Sequence, residues 1–171
     1  MQVFHAALGK ELAMRLELSS PAFEDAGFLP RKFAGNGDDF SPPLQWRNEP
    51  EGTKSFALML DDPNVSEGRS HWLVYDIHGD MHSLPEHVAA QDALRDWMED
   101  GISVKQGRNE LGKVGYAGPV PTKDLPHHYT FTLYALDCYL RMPGGRTKPE
   151  VLNAMHDHIL EQAQLVARYN E

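Results

Sequence analysis

A chain of 171 residues suffices for one domain with a sizeable core, and 41% hydrophobic with 24% charged residues is a globular composition. A net charge of −9 excludes general nucleic-acid binding, because phosphate backbones need a Lys/Arg surface. Cys138 is the single cysteine, which excludes an intrachain disulfide.

Taken in chain order, residues 1–13 read as an N-terminal arm or a short helix, weakened as a helix by Gly9. In MRLELSSPAF (14–23), Met14, Leu16 and Leu18 alternate with polar residues, the period of a half-buried strand. FAGNGDDFSPPLQW (33–46) reads as loop, rich in Gly, Asn and Asp, with a Pro pair that denies ladder donors. KSFALMLDD (54–62) and SHWLVYDI (70–77) are near-continuous apolar runs, and the residues between them suit a hairpin with a long loop. The segment 88–100 predicts a short helix. HHYTFTLYALD (127–137) is a third strong strand, and the apolar run around Cys138 predicts a buried, inert thiol. Strands without intervening helices point to antiparallel sheets in a β-sandwich.

The tail follows another period. Leu152, Met155, Ile159, Ala163 and Val166 recur at three- and four-residue steps, predicting an amphipathic C-terminal helix over about 149–168. Thr147 and Glu150 read as its capping box, with Pro149 in the first turn. The whole of 1–171 reads as one domain. No 18-residue apolar run and no charged leader into an apolar stretch occurs, so the expectation is a cytoplasmic protein without signal peptide or membrane span.

Chemistry concentrates in three places. If 54–62 pairs with 71–77, Asp62 and His71 stand at the two ends of one loop as neighbours across the strands. His127 and Tyr129 are two apart in a strand and project from one face. An acid, two imidazoles and a phenol would then meet. Protonated imidazoles and a phenol donate hydrogen bonds to a phosphate-like anion, while the carboxylate favours a charged imidazole or fixes a tautomer. Asp62 would also suit an amine-bearing head group or a shared proton.

Other arrangements carry less. His78, His82 and His87 share a segment with Gly79 and Pro85 that no helix would align for zinc. A facial metal triad of Asp62, His71 and His127 ranks below anion binding. Ser70 is expected on the strand face opposite His71, without a nucleophile context. The glycines of 107–119 form neither a dinucleotide fingerprint nor a phosphate loop. No cofactor and no metal are expected.

The ordered motifs SPAF (20–23), SPPLQW (41–46), GTKSFALMLDDPN (52–64), HWLVYDI (71–77), GRNELGKVGYAGPVP (107–121) and HHYTFTLYALD (127–137) resemble the phosphatidylethanolamine-binding protein family. The likeness is greatest to its bacterial and archaeal, Raf-kinase-inhibitor-like branch, whose final helix AMHDHILEQAQLVARY (154–169) resembles. The resemblance implies a mainly β fold of two antiparallel sheets with Greek-key topology, peripheral helices and a C-terminal helix. It places the ligand-binding set on Asp62, His71, His127 and Tyr129, walled by Gly118, Pro119 and Pro121. Departures from the family pattern fall at Asn64, Ser66, Thr122 and Asp124, where a second acid, two prolines and a glycine are the rule.

The reading that follows is a non-enzymatic binding protein with a small pocket for a phosphoryl or other anionic group. The group would come from a small phosphorylated compound, a phospholipid head or a phosphorylated protein. One alternative is an inhibitor of a kinase or protease acting through a protein interface; another is a weak Asp/His acid–base hydrolase. The resemblance also suggests a homodimer.

Overall fold

The computed structural model of the chain describes residues 15–64, 69–120 and 126–170. The expected arm at 1–13 lies outside them, as do Pro121, Ser66, Thr122 and Asp124. The strands are β1 (Glu17–Ser19), β2 (Gly27–Phe28), β3 (Leu44–Arg47), β4 (Ser55–Asp62), β5 (Arg69–His78), β6 (Ser83–Leu84), β7 (Ala93–Glu99), β8 (Ile102–Gln106), β9 (His127–Leu136) and β10 (Ile159–Tyr169). One helix, α1 (Lys148–Met155), precedes β10.

Among the described residues the strands form a three-stranded sheet, β1-β3-β6, and a seven-stranded sheet, β2-β10-β9-β4-β5-β8-β7. The return of β9 over a long connection to lie beside β4 is the Greek-key element. All pairings are antiparallel except that of β2 with β10, which is parallel. The expectation of purely antiparallel sheets is corrected at that edge.

The apolar runs at 54–62 and 70–77 lack alternation because the large sheet is covered on both faces. Phe56, Leu58 and Leu60 face the small sheet and meet Leu18, Leu44, Trp46 and Leu84, together with Trp72, Val74, Phe131 and Leu133. Ala57 and Met59 point the other way and join Leu73, Tyr75 and Leu136 under α1, which contributes Val151 and Met155. Most of these side chains are fully buried, and each contributes about 1.5–3 kcal/mol relative to exposure.

The predicted helix over 149–168 is corrected. It covers only Lys148–Met155, opened as expected by the Thr147/Glu150 box, in which the Glu150 carboxylate accepts from the Thr147 N–H at 2.8 Å. Asp157 then takes a left-handed conformation at φ 66°, and the chain continues as β10. The apolar stripe was not one buried face: Leu152 is 38% exposed and Ile159 is 43% exposed. What decides the conformation is the ladder to β9, which runs from Ile159↔Leu136 to Tyr169↔His127 and buries Leu165, Ala167 and Tyr169 at period two. Long-range pairing overrides local periodicity here.

The helix expected in 88–100 is likewise corrected to β7, which returns into β8 through Asp100 (φ 51°) and Gly101 (φ 76°). An Asp-Gly pair with both φ positive is the two-residue hairpin turn that matches strand twist. The loop assigned to 33–46 ends earlier than expected, since Leu44 and Trp46 enter β3 and point inward. Cys138 lies past the end of β9 and is half-buried, not enclosed in the strand.

Candidate functional site

The ends of β4, β5 and β9 meet at a cavity of about 190 Å³ lined by Asp62, Arg69, Ser70, His71, Leu111, Ala117, Gly118, Val120, His127 and Tyr129. The antiparallel register puts Asp62 opposite Arg69 and Asp61 opposite Ser70, but Leu60 opposite Trp72. His71 is therefore the extra residue of a β-bulge, a device that re-aims a side chain at a strand end. Asp62 and His71, expected as neighbours across the strands, both border the cavity, but they are not paired in the ladder. Arg69 takes the facing place, and the bulge also leaves Ser70 bordering the cavity, against the expected opposite face.

Asp62 is buried, and both of its oxygens are used. Oδ1 accepts the Asn64 N–H at 2.9 Å, and Oδ2 accepts from His127 Nδ1 at 2.8 Å. The carboxylate orients His127, not His71. Asn64 is a departure with a structural use: its side-chain oxygen accepts the His128 N–H at 2.8 Å, tying the β4 end to the start of β9.

His71 is buried and donates from Nδ1 to the Ala117 carbonyl at 2.8 Å, while its own carbonyl accepts the Ala117 N–H at 2.9 Å. A carbonyl only accepts, so Nδ1 carries the proton and the neutral ring keeps its lone pair on Nε2. Burial pushes the His71 imidazole below its ordinary value, partly offset by the Ala117 hydrogen bond and the Asp62 charge. Tyr129 stands between the two imidazoles, edge-to-face with His71 at 5.4 Å and stacked on His127 at 6.2 Å between centroids. Burial and the Asp62 charge push its phenol up to about 12, so it remains a donor at any physiological pH.

The wall segment is held by backbone contacts. Gly118 donates to Asp39 Oδ1 at 2.6 Å, the Gly35 N–H reaches the Pro119 carbonyl at 2.7 Å, and the Tyr116 hydroxyl donates to the Phe33 carbonyl at 2.6 Å. A Cβ at Gly118 would lie 2.4 Å from the Phe33 carbonyl oxygen, so only glycine fits. The structure thus brings together Asp62, His71, His127, Tyr129 and Gly118. Pro119 holds the wall from behind and does not line the cavity. Pro121 lies outside the described residues.

Sequence reasoning missed Arg69, Leu111 and Val120. Arg69 carried no usable signal, because the bulge at His71 breaks the period-two alternation from which its face would be read. Leu111 and Val120 carried none, as they reach the rim from loops, where they are 61% and 62% exposed.

A family profile described as phosphatidylethanolamine-binding protein matches residues 19–170. A UPF0098 protein of Methanothermobacter thermautotrophicus is 41% identical over 155 residues, covering 90% of this chain and 98% of the relative. Another from Aquifex aeolicus is 35% identical, covering 90% and 88%. Among solved structures, a Chlamydia trachomatis protein described as a homologue of that family superposes with a TM-score of 0.80 at 33% identity, over 92% of this chain and 98% of the other. YbcL of E. coli, described as a member of the mammalian family, gives 0.79 at 27% identity over 92% and 99%.

Proposed function

The chain belongs to the phosphatidylethanolamine-binding protein family, in its bacterial and archaeal branch, and so is a binding protein; we propose that its cavity takes a phosphoryl group. The observation that carries this reading is the meeting of Arg69, His71, His127 and Tyr129 at one small cavity built on three strand ends. Arg69 supplies the fixed positive charge and a planar fork suited to phosphoryl oxygens. Tyr129 donates a hydrogen bond without adding charge.

His71 sets the protonation of the bound form. With its lone pair on Nε2, it accepts the proton of a monoprotonated phosphoryl oxygen, leaving one proton shared between ring and ligand. Asp62 borders the cavity but acts through His127, holding the ring by Nδ1. A carboxylate with both oxygens already accepting hydrogen bonds suits positioning better than proton abstraction, which favours binding over acid–base hydrolysis. Leu111 and Val120 offer apolar contact at the rim to whatever carries the phosphoryl group.

The test is a heteronuclear NMR titration with inorganic phosphate and then phosphorylethanolamine. Saturable shifts at the side chains of His71 and His127 and the backbone near 62, 69–71 and 127–129 are expected, and His127→Ala should weaken them. Absence of shifts at millimolar ligand would overturn the reading.

A further inference from the structure

A second constellation lies away from the cavity, where β9 ends and β10 begins. Among the described residues, Asp137, Cys138 and His158 bring one oxygen, one sulfur and one imidazole nitrogen within 4.8 Å of one another. We propose that these three side chains form a binding site for a transition-metal dication of the zinc type.

The fold assembles the set from the bend that follows β9 and the turn that precedes β10. Neighbouring residues in a strand point to opposite faces, which would separate Asp137 from Cys138. β9 stops at Leu136, however, and the chain bends at 137–138, so both side chains turn to the same side. His158 comes from the turn after α1, where the left-handed Asp157 and a hydrogen bond from the His158 N–H to the Met155 carbonyl (2.9 Å) set its position. The Asp137 N–H donates to the His158 carbonyl at 3.0 Å, and the Ser55 hydroxyl donates to the Cys138 carbonyl at 2.6 Å. The backbone under all three ligands is therefore fixed before a cation arrives.

The chemistry suits a borderline-soft cation. Thiolate, imidazole and carboxylate are the ligand types of zinc sites, and three protein ligands leave a fourth tetrahedral position for water. Bonds of 2.0–2.3 Å give tetrahedral edges of roughly 3.3–3.8 Å. His158 Nδ1 now donates to Asp137 Oδ1 at 2.8 Å; a cation takes the place of that proton, which passes through solvent to Nε2 as the ring changes tautomer, and it opens this edge slightly while drawing the sulfur in. Asp137 and His158 are about half exposed, which leaves an entry path. Metal binding breaks the S–H bond, forms the S–metal bond and delivers the proton to solvent.

The experiment is a cobalt(II) titration of the full chain followed by zinc displacement. One equivalent of cobalt should give a thiolate-to-cobalt charge-transfer band that zinc abolishes. Cys138→Ser should remove the band, and Asp137→Asn and His158→Ala should each weaken binding by about tenfold or more, at least what loss of a supporting outer contact costs. His127→Ala should leave the band unchanged, which separates this site from the phosphoryl cavity. Because Cys138 is the only thiol, alkylation of the unaltered protein reads the same site. Saturating zinc should slow it about tenfold or more and a chelator should restore it. No band, an unprotected thiol, or zinc binding that is indifferent to Cys138→Ser would overturn the proposal.

Discussion

Asp62 Oδ2 and His127 Nδ1 lie 2.8 Å apart, a contact that spans 65 positions of sequence and joins the end of β4 to the start of β9. These strands are neighbours in the large sheet, and their ladder runs from Ser55↔Leu136 to Asp61↔Thr130. The pair closes that ladder at the cavity and gives the imidazole one orientation.

Asp62→Asn keeps the shape but removes the charge behind that hydrogen bond. With Asp62 buried and His127 partly exposed, the loss should be about 1–3 kcal/mol, read as a lower denaturant midpoint with an unchanged slope. An unshifted midpoint would show that the pair adds nothing to folding.

Stability should fall on mild acidification because of His71. Its imidazole lies below its ordinary value of about 6.5, so between the two values the unfolded chain holds the extra proton. The stabilisation is complete above about pH 6.5 and is lost as pH falls through that window. In His71→Asn the stability–pH curve should be flatter there, measured by urea unfolding from pH 7.5 to 5.

Phosphate binding should have the opposite trend. If the bound form carries one more proton than free dianion and neutral His71 together, affinity falls as pH rises above the phosphomonoester value of about 6, approaching tenfold per unit. Titration calorimetry with phosphorylethanolamine at pH 6, 7 and 8 would read this slope. A flat profile would remove His71 from the binding step.

Tyr129→Phe removes one neutral donor to a charged acceptor, worth about 1.5–3 kcal/mol, so phosphate affinity should drop roughly 10- to 100-fold. The Tyr129 hydroxyl makes no hydrogen bond within the described residues, so the denaturant midpoint should barely move. A large stability loss with unchanged affinity would reassign the residue to packing.

Gly118→Ala tests the wall. The added methyl would sit 2.4 Å from the Phe33 carbonyl oxygen and 2.7 Å from the Gly35 nitrogen, both backbone atoms, and overpacking of this kind costs about 1–3 kcal/mol. Both the denaturant midpoint and phosphate affinity should fall, because the wall carries the Ala117 carbonyl that orients His71.

Strand identity at 54–62, 70–77 and 127–137 was legible because dense branched and aromatic runs bounded by turn residues have few other solutions. So were the capping box at Thr147 and the shared face of His127 and Tyr129, which depend only on spacing. The signal for β7 was also present, in Asp100-Gly101, but propensity across 88–100 obscured it.

By itself, then, the sequence determined the main strands, the start of α1, the family and four polar groups of the cavity, since local period and motif order encode these directly. Tertiary structure alone decided that 159–169 is strand, that His71 is bulged, that Asp62 serves His127, and that Cys138 meets Asp137 and His158. Each of these depends on pairing between segments far apart in the chain. The free energy of a ten-residue ladder, or of a side chain aimed by a bulge, belongs to the partner strand as much as to the residue.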